Sequence, residues 1–211
     1  MSYRLIAPEE DPRGAHFAYF RSLAYPYLGV TAEVDVTDAA DYCRRHGVSF
    51  YLAVMHAAAL AADEVAPLRR RIRDGQIAEY DECPTSHVEL LEDGTYCYCT
   101  LRHHTALPEY FARAAESRRL CRGKGITEDD DVESMYFISS LPWIHYTALI
   151  QPVGGGDDSN PRITWGKYTE NGAGRRMLPL SILAHHALVD GVHIAQFYDR
   201  LAHQLAALYR P

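Results

Sequence analysis

The segment Leu178-Pro-Leu-Ser-Ile-Leu-Ala-His-His-Ala-Leu-Val-Asp-Gly-Val-His193 constrains the fold more than any other part of the chain. Its first half reads as a strand of period two, with Leu178, Leu180, Ile182, Ala184 and His186 on one face and His185 on the other. An Asp190-Gly191 turn then opens a helix over Gly191–Leu208, whose Ile194, Phe197, Tyr198, Leu201, Leu205 and Leu208 form one apolar stripe. Because the two histidines face apart, they are poorly placed to serve one metal or one substrate together. A single imidazole at the end of a buried strand, followed four residues later by an acid and then a glycine, suits a general base with a fixed ring.

Further helical patterns fall at Gly14–Ser22, Thr37–His46, Ser49–Val65 and Pro108–Arg122. Strand patterns fall at Val30–Val36, in a hairpin around Arg73-Asp-Gly75 that leads to Gln76–Tyr80, at His87–Leu91 and Thr95–Leu101, and at three places after Ser134. Helices and strands interleave without strict alternation, which predicts an α/β (α+β) two-layer sandwich: a mixed β-sheet with helices packed on it. Val153–Pro161 and Gly123–Asp131 read as loops. No repeat, linker or low-complexity tract interrupts the pattern, so a single domain over residues 1–211 is expected.

Composition narrows the function. With 21 basic and 28 acidic residues the formal charge is −7, which disfavours nucleic-acid and anionic-membrane partners. No apolar run approaches a bilayer span and Met1–Asp11 has no signal pattern, so a cytoplasmic location is expected. Five cysteines (Cys43, Cys83, Cys97, Cys99, Cys121) are an odd count, and free thiols in a reducing compartment are expected rather than a disulfide framework. Cys97 and Cys99 lack the usual spacer and a second ligand pair, so no metal is expected.

Three blocks in order carry a resemblance: Ile138-Ser-Ser-Leu-Pro-Trp143, Pro161-Arg-Ile-Thr-Trp-Gly-Lys-Tyr168 and His185-His-Ala-Leu-Val-Asp-Gly191. With Arg13 before His16-Phe17, Phe50-Tyr51 opening a long helix, and Leu68–Gly75 leading into a hairpin, the chain resembles the chloramphenicol acetyltransferase family along nearly its whole length. The resemblance implies acetyl transfer from acetyl-CoA to a substrate hydroxyl, with no metal. It implies His186 as the base, Ser139 as the oxyanion donor, and Thr164 acting through a water. Asp190 would pair with Arg13 and support the site without relaying protons.

For coenzyme A the resemblance points to Lys167 and Tyr168 near the nucleotide end and to Tyr51 and Trp143 along the pantetheine arm. Phe20, Leu28, Tyr96, Leu149 and Val153 fall at apolar positions of the acceptor pocket. Family members are homotrimers with sites between subunits, the base coming from one chain and most of the acceptor pocket from its neighbour. Departures from the pattern are Asp11 where tryptophan is usual, Ser49 where lysine is common, and Tyr98, Gln151 and Arg162 where small or apolar residues are usual. A buried arginine or glutamine needs partners, so these positions leave open a different hydroxyl acceptor. A non-catalytic binding homologue is the remaining alternative, against which stand the intact His186 and Ser139.

Overall fold

The computed structural model describes residues 1–123 and 131–209. Along the chain run β1 (Tyr3–Ile6), α1 (Gly14–Arg21), β2 (Tyr27–Asp35), α2 (Thr37–His46), α3 (Phe50–Asp63), β3 (Arg70–Arg73) and β4 (Gln76–Tyr80). There follow β5 (Thr85–Leu90), β6 (Tyr96–Leu101), α4 (Leu107–Cys121), β7 (Tyr136–Ser140), β8 (Arg162–Trp165), β9 (Thr169–Glu170), β10 (Arg176–His185) and α5 (Gly191–Tyr209). The larger sheet has the order β2-β10-β8-β7-β5-β6, with β9 beside β10. β7 runs parallel to β5 and β8 while the other pairs are antiparallel. This is the mixed α/β sheet that the sequence predicts. A small sheet, β1-β4-β3, stands apart, and no helix among the described residues is long and apolar enough to cross a membrane.

The two faces of the larger sheet differ because side chains alternate along each strand. Leu178, Leu180, Ile182 and Ala184 of β10, with Ile163 and Ile138, are buried in one core with α3 and α5. α3 presents Ala53, Ala57, Ala58 and Ala61 without exposed surface, and these short side chains let it pack closely against α5. The opposite face carries a polar row: Ser139 pairs with Thr164, Thr164 with Ser181, and Ser181 with Thr31.

Local chemistry sets several elements. Asp74 (φ 50°) and Gly75 (φ 77°) form the two-residue turn between β3 and β4, as expected for Asp-Gly in a hairpin. Ser49 caps α3, its side chain accepting from the Leu52 N–H at 3.4 Å, so the departure at this position has a helix-capping role. Asp11, the other early departure, accepts from Arg70 at 2.8 Å and from the Arg13 N–H at 2.8 Å.

Several expectations need correction. β10 ends at His185, and His186 lies in the following turn with its N–H bonded to the Pro26 carbonyl at 2.8 Å. It therefore does not share the Leu178–Ala184 face. β2 begins at Tyr27, three residues before the expected Val30, because its ladder with β10 reaches His185. β1 was not legible locally; its partner β4 lies far along the chain. The loop expected at Gly123–Asp131 falls, in its interior, outside the described residues. Instead of free thiols throughout, Cys99 and Cys121 form a disulfide, which brings together β6 and the end of α4 at a Cα–Cα distance of 5.5 Å. Cys43, Cys83 and Cys97 are free and buried.

Candidate active site

The corner around His186 is assembled from three short stretches. Its Nδ1 lies 2.9 Å from the Val189 carbonyl; a carbonyl only accepts, so Nδ1 carries a proton, and in the neutral ring the lone pair is on Nε2. The Phe20 ring of α1 stacks on the imidazole, with centroids 3.8 Å apart and planes 19° off parallel. Arg13 donates to the His186 carbonyl at 3.1 Å and stands 3.6 Å from the Asp190 carboxylate. The Gly191 N–H and then Arg13 hold the Asp190 carboxyl below the ordinary carboxylate range. Gly14 makes the approach of α1 possible, since a Cβ there would meet the Pro8 carbonyl oxygen at 2.0 Å.

His185 does something different. It is buried, its Nε2 donates to the Gly156 carbonyl at 2.7 Å, and its Nδ1 accepts from the Ala187 N–H at 3.2 Å. Burial pushes its pKa below the ordinary histidine value. This histidine ties the end of β10 to the Val153–Pro161 loop.

That loop walls a cavity of about 950 Å³ on the open face of the sheet. Ser139, Thr164, Leu149 and Val153 line it, as do Tyr98, Gln151 and Arg162. Thr164 Oγ donates to Gln151 Oε1 at 2.8 Å, which gives the glutamine one partner. Arg162 is held by Asp158 at 2.5 Å and by the Asn160 carbonyl at 2.9 Å, and its guanidinium lies 5.2 Å from the Phe137 ring centroid. Arg162 is therefore built into the wall with partners of its own, whereas the buried Gln151 Nε2 has no hydrogen-bond partner among the described residues.

Other candidates lie elsewhere in the chain. Tyr96 is on the same face of β6 as Tyr98, but it sits at the strand's edge opposite Leu90, 40% exposed; Tyr98, not Tyr96, lines the cavity. Phe20 stands with His186, and Leu28 packs against the core from β2. At the far end of β7 and β8, Lys167, Tyr168 and Trp143 are exposed, and Tyr168 meets Phe50 edge-on at 5.5 Å. Gly166 is required there, because a Cβ would lie 2.7 Å from the Ile144 carbonyl oxygen. Tyr51 turns inward instead, 5.1 Å from the Trp165 ring, with its hydroxyl buried.

Within one chain the corner and the polar row are far apart. Ser181 is in the row and His185 lies four residues further along β10. With about 3.3 Å per residue and 4.8 Å per strand, the backbone of His185 is about 16 Å from that of Ser139, and His186 lies one residue beyond it. His186 is absent from the cavity lining. Sequence reasoning missed Asp158, the His185–Gly156 tie and the Gln151–Thr164 bond; the Asp-Asp pair at 157–158 was the one available signal, and it also reads as turn chemistry.

The mixed sheet with helices on one face and a polar row on the other is a fold shared with acyltransferase structures. Azotobacter vinelandii dihydrolipoamide acetyltransferase shares that fold at TM-score 0.67 and 22% identity, over 92% of this chain and 86% of that one. The family model described as chloramphenicol acetyltransferase matches residues 1–202, and the chain belongs to that family. A chloramphenicol acetyltransferase from Escherichia coli is 27% identical over 205 residues, covering 94% of this chain and 92% of its own. Chloramphenicol acetyltransferase 3 from Escherichia coli is 25% identical over 209 residues, covering 95% and 96%. A solved chloramphenicol acetyltransferase superposes at TM-score 0.83 and 25% identity, over 97% of this chain and 100% of that one. The chain is an acetyltransferase.

Proposed function

We propose that the chain transfers acetyl from acetyl-CoA to a hydroxyl of chloramphenicol, at sites formed between neighbouring chains of a homotrimer. The observation that carries this reading is the fixed tautomer of His186, with Nδ1–H bound to the Val189 carbonyl and Nε2 free to accept a proton. Nε2 takes the proton of the acceptor hydroxyl as its oxygen attacks the thioester carbonyl. The tetrahedral oxyanion accepts a hydrogen bond from Ser139. Its collapse breaks the C–S bond, and His186 returns the proton to the coenzyme A thiolate. Base action is worth about 10²–10⁴ in rate, and the oxyanion donor about 10²–10³.

The separation of His186 from Ser139 supports a site shared between chains, the base from one and Ser139 with the cavity from its neighbour. Apolar side chains are exposed beside both parts: Tyr19, Leu23 and Tyr25 near His186, and Trp143, Ile144 and Ile150 near the polar row. Burial of such side chains is a reason for chains to associate. Lys167, Tyr168 and Trp143 are the exposed groups that would receive coenzyme A, the lysine at a phosphate and the aromatics along the organic arms. Tyr51 would stiffen this end from beneath.

Arg162, Asp158 and Gln151 in the cavity wall favour a second reading of the acceptor, a hydroxyl compound more polar than chloramphenicol. Thiol release from acetyl-CoA, measured across a panel that includes chloramphenicol, decides between them. Turnover of chloramphenicol above other hydroxyl compounds supports the first reading; turnover of polar alcohols alone supports the second.

A further inference from the structure

Three cysteines that stand apart in the sequence meet between β6 and α4. Cys97 and Cys99, two residues apart on one strand, face the same side, and Cys121 is the last residue of α4. Their sulfurs all lie within 4.8 Å of one another, and Cys97 Sγ is 3.1 Å from Cys121 Sγ. The residues are 0%, 1% and 4% exposed. A disulfide uses only two of the three sulfurs, leaving a buried thiol against it.

A second observation points to a ligand. His87 of β5 is the ladder partner of Cys99, and it is fully buried. Side chains directly opposite in an antiparallel pair start with their Cβ atoms about 5 Å apart, although in the disulfide form the His87 ring nitrogens lie outside the 4.8 Å cluster of the three sulfurs. Neither ring nitrogen of His87 has a hydrogen-bond partner among the described residues. Buried polar groups are normally paired, and a neutral imidazole offers one lone pair to a metal.

We propose that in the reduced chain Cys97, Cys99 and Cys121 bind a thiophilic divalent ion, Zn²⁺, and that the unpaired His87 ring turns toward them as the fourth donor. Three thiolates and one imidazole are a recurring tetrahedral set for structural zinc. A dithiol reductant supplies two electrons and two protons to the Cys99–Cys121 bond and leaves as its own disulfide. Zn²⁺ then displaces the thiol protons as it binds. Disulfide and metal are alternative states of the same sulfurs, and each joins α4 to the edge strand. The site is on the opposite side of β6 from Tyr98, which lines the acceptor cavity.

The test titrates Co²⁺, then Zn²⁺, into full-length protein reduced and desalted under nitrogen. A single Co²⁺ should bind with a thiolate charge-transfer absorption and be displaced by Zn²⁺. Cys97→Ser and Cys121→Ser should lose that absorption, and the double variant Cys43→Ser/Cys83→Ser should keep it. His87→Ala should retain some thiolate absorption but bind Zn²⁺ about tenfold more weakly or worse. Zn²⁺ should raise the Tm of the reduced natural chain and of the Cys43→Ser/Cys83→Ser variant, a readout that stands even where another variant does not fold. Absence of Co²⁺ binding, absence of a Zn²⁺-dependent Tm rise, thiolate absorption persisting in Cys97→Ser, or unweakened binding in His87→Ala would overturn the proposal.

Discussion

The His186 corner and the Ser139 face belong to one sheet but are built by opposite means. At the corner, a strand end, a turn and a helix start place His186, Val189, Asp190 and Gly191 within six residues, and α1 adds Phe20 and Arg13 from outside. The Val189 carbonyl and the Phe20 ring hold the imidazole, while Arg13 holds the His186 backbone carbonyl and Asp190. At the face, Ser139, Thr164, Gln151 and Arg162 come from separate strands and a loop, and they surround open volume. The contrast separates a firmly held imidazole, the proposed base, from a cavity whose chemistry depends on its wall. Substitutions at the corner and at Ser139 should act on rate, and those elsewhere in the wall on stability and acceptor choice.

The largest effect is expected at the corner. His186→Ala should lower kcat by about 10²–10⁴ with little change in Tm, since the imidazole is only half-buried and donates one hydrogen bond. A large loss of Tm would mean that the corner is structural. Ser139→Ala should lower kcat by about 10²–10³ and leave KM for acetyl-CoA nearly unchanged; loss in KM alone would remove Ser139 from the chemistry.

In the wall, Asp158→Ala leaves the Arg162 guanidinium largely buried without its carboxylate. Denaturant unfolding should show about 3 kcal/mol of lost stability, and the acceptor preference should move with it. The smallest effect is expected where the two regions join. Burial keeps the His185 pKa below its ordinary value, so as pH falls through about 6.5 the unfolded chain takes up the proton first. Stability contributed by the neutral ring is present above that range and is lost below it. Tm should therefore fall on mild acidification, and His185→Gln should flatten that fall; an equally steep fall in the variant would assign the effect to another group.

What the sequence shows and what it hides follows the same division. The Asp190-Gly191 turn, the α5 stripe and the Asp74-Gly75 hairpin depend on neighbours in the chain, and local spacing is enough to read them. Arg71 is the contrary case: in a run of three arginines it reads as surface, yet it is fully buried. It donates to the carbonyls of Leu68, Arg70, Glu133, Ser134 and Met135. Cys121 joins Cys97 and Cys99 only after α4 folds back on β6. Arg162 reads as an anomaly until Asp158 is seen beside it. The first residues of β2 show no strand pattern of their own and are held by the ladder to β10.

The central claim is that His186 and Ser139 act together across two chains. It is tested by mixing two inactive variants, His186→Ala and Ser139→Ala, under conditions that exchange subunits. In a randomly mixed cyclic trimer about a quarter of the sites would combine an intact His186 with an intact Ser139, and acetyl transfer should return to about that share of the natural rate. If the mixture stays as inactive as its components while size measurements show that hybrid oligomers have formed, the base and the oxyanion donor do not meet between chains.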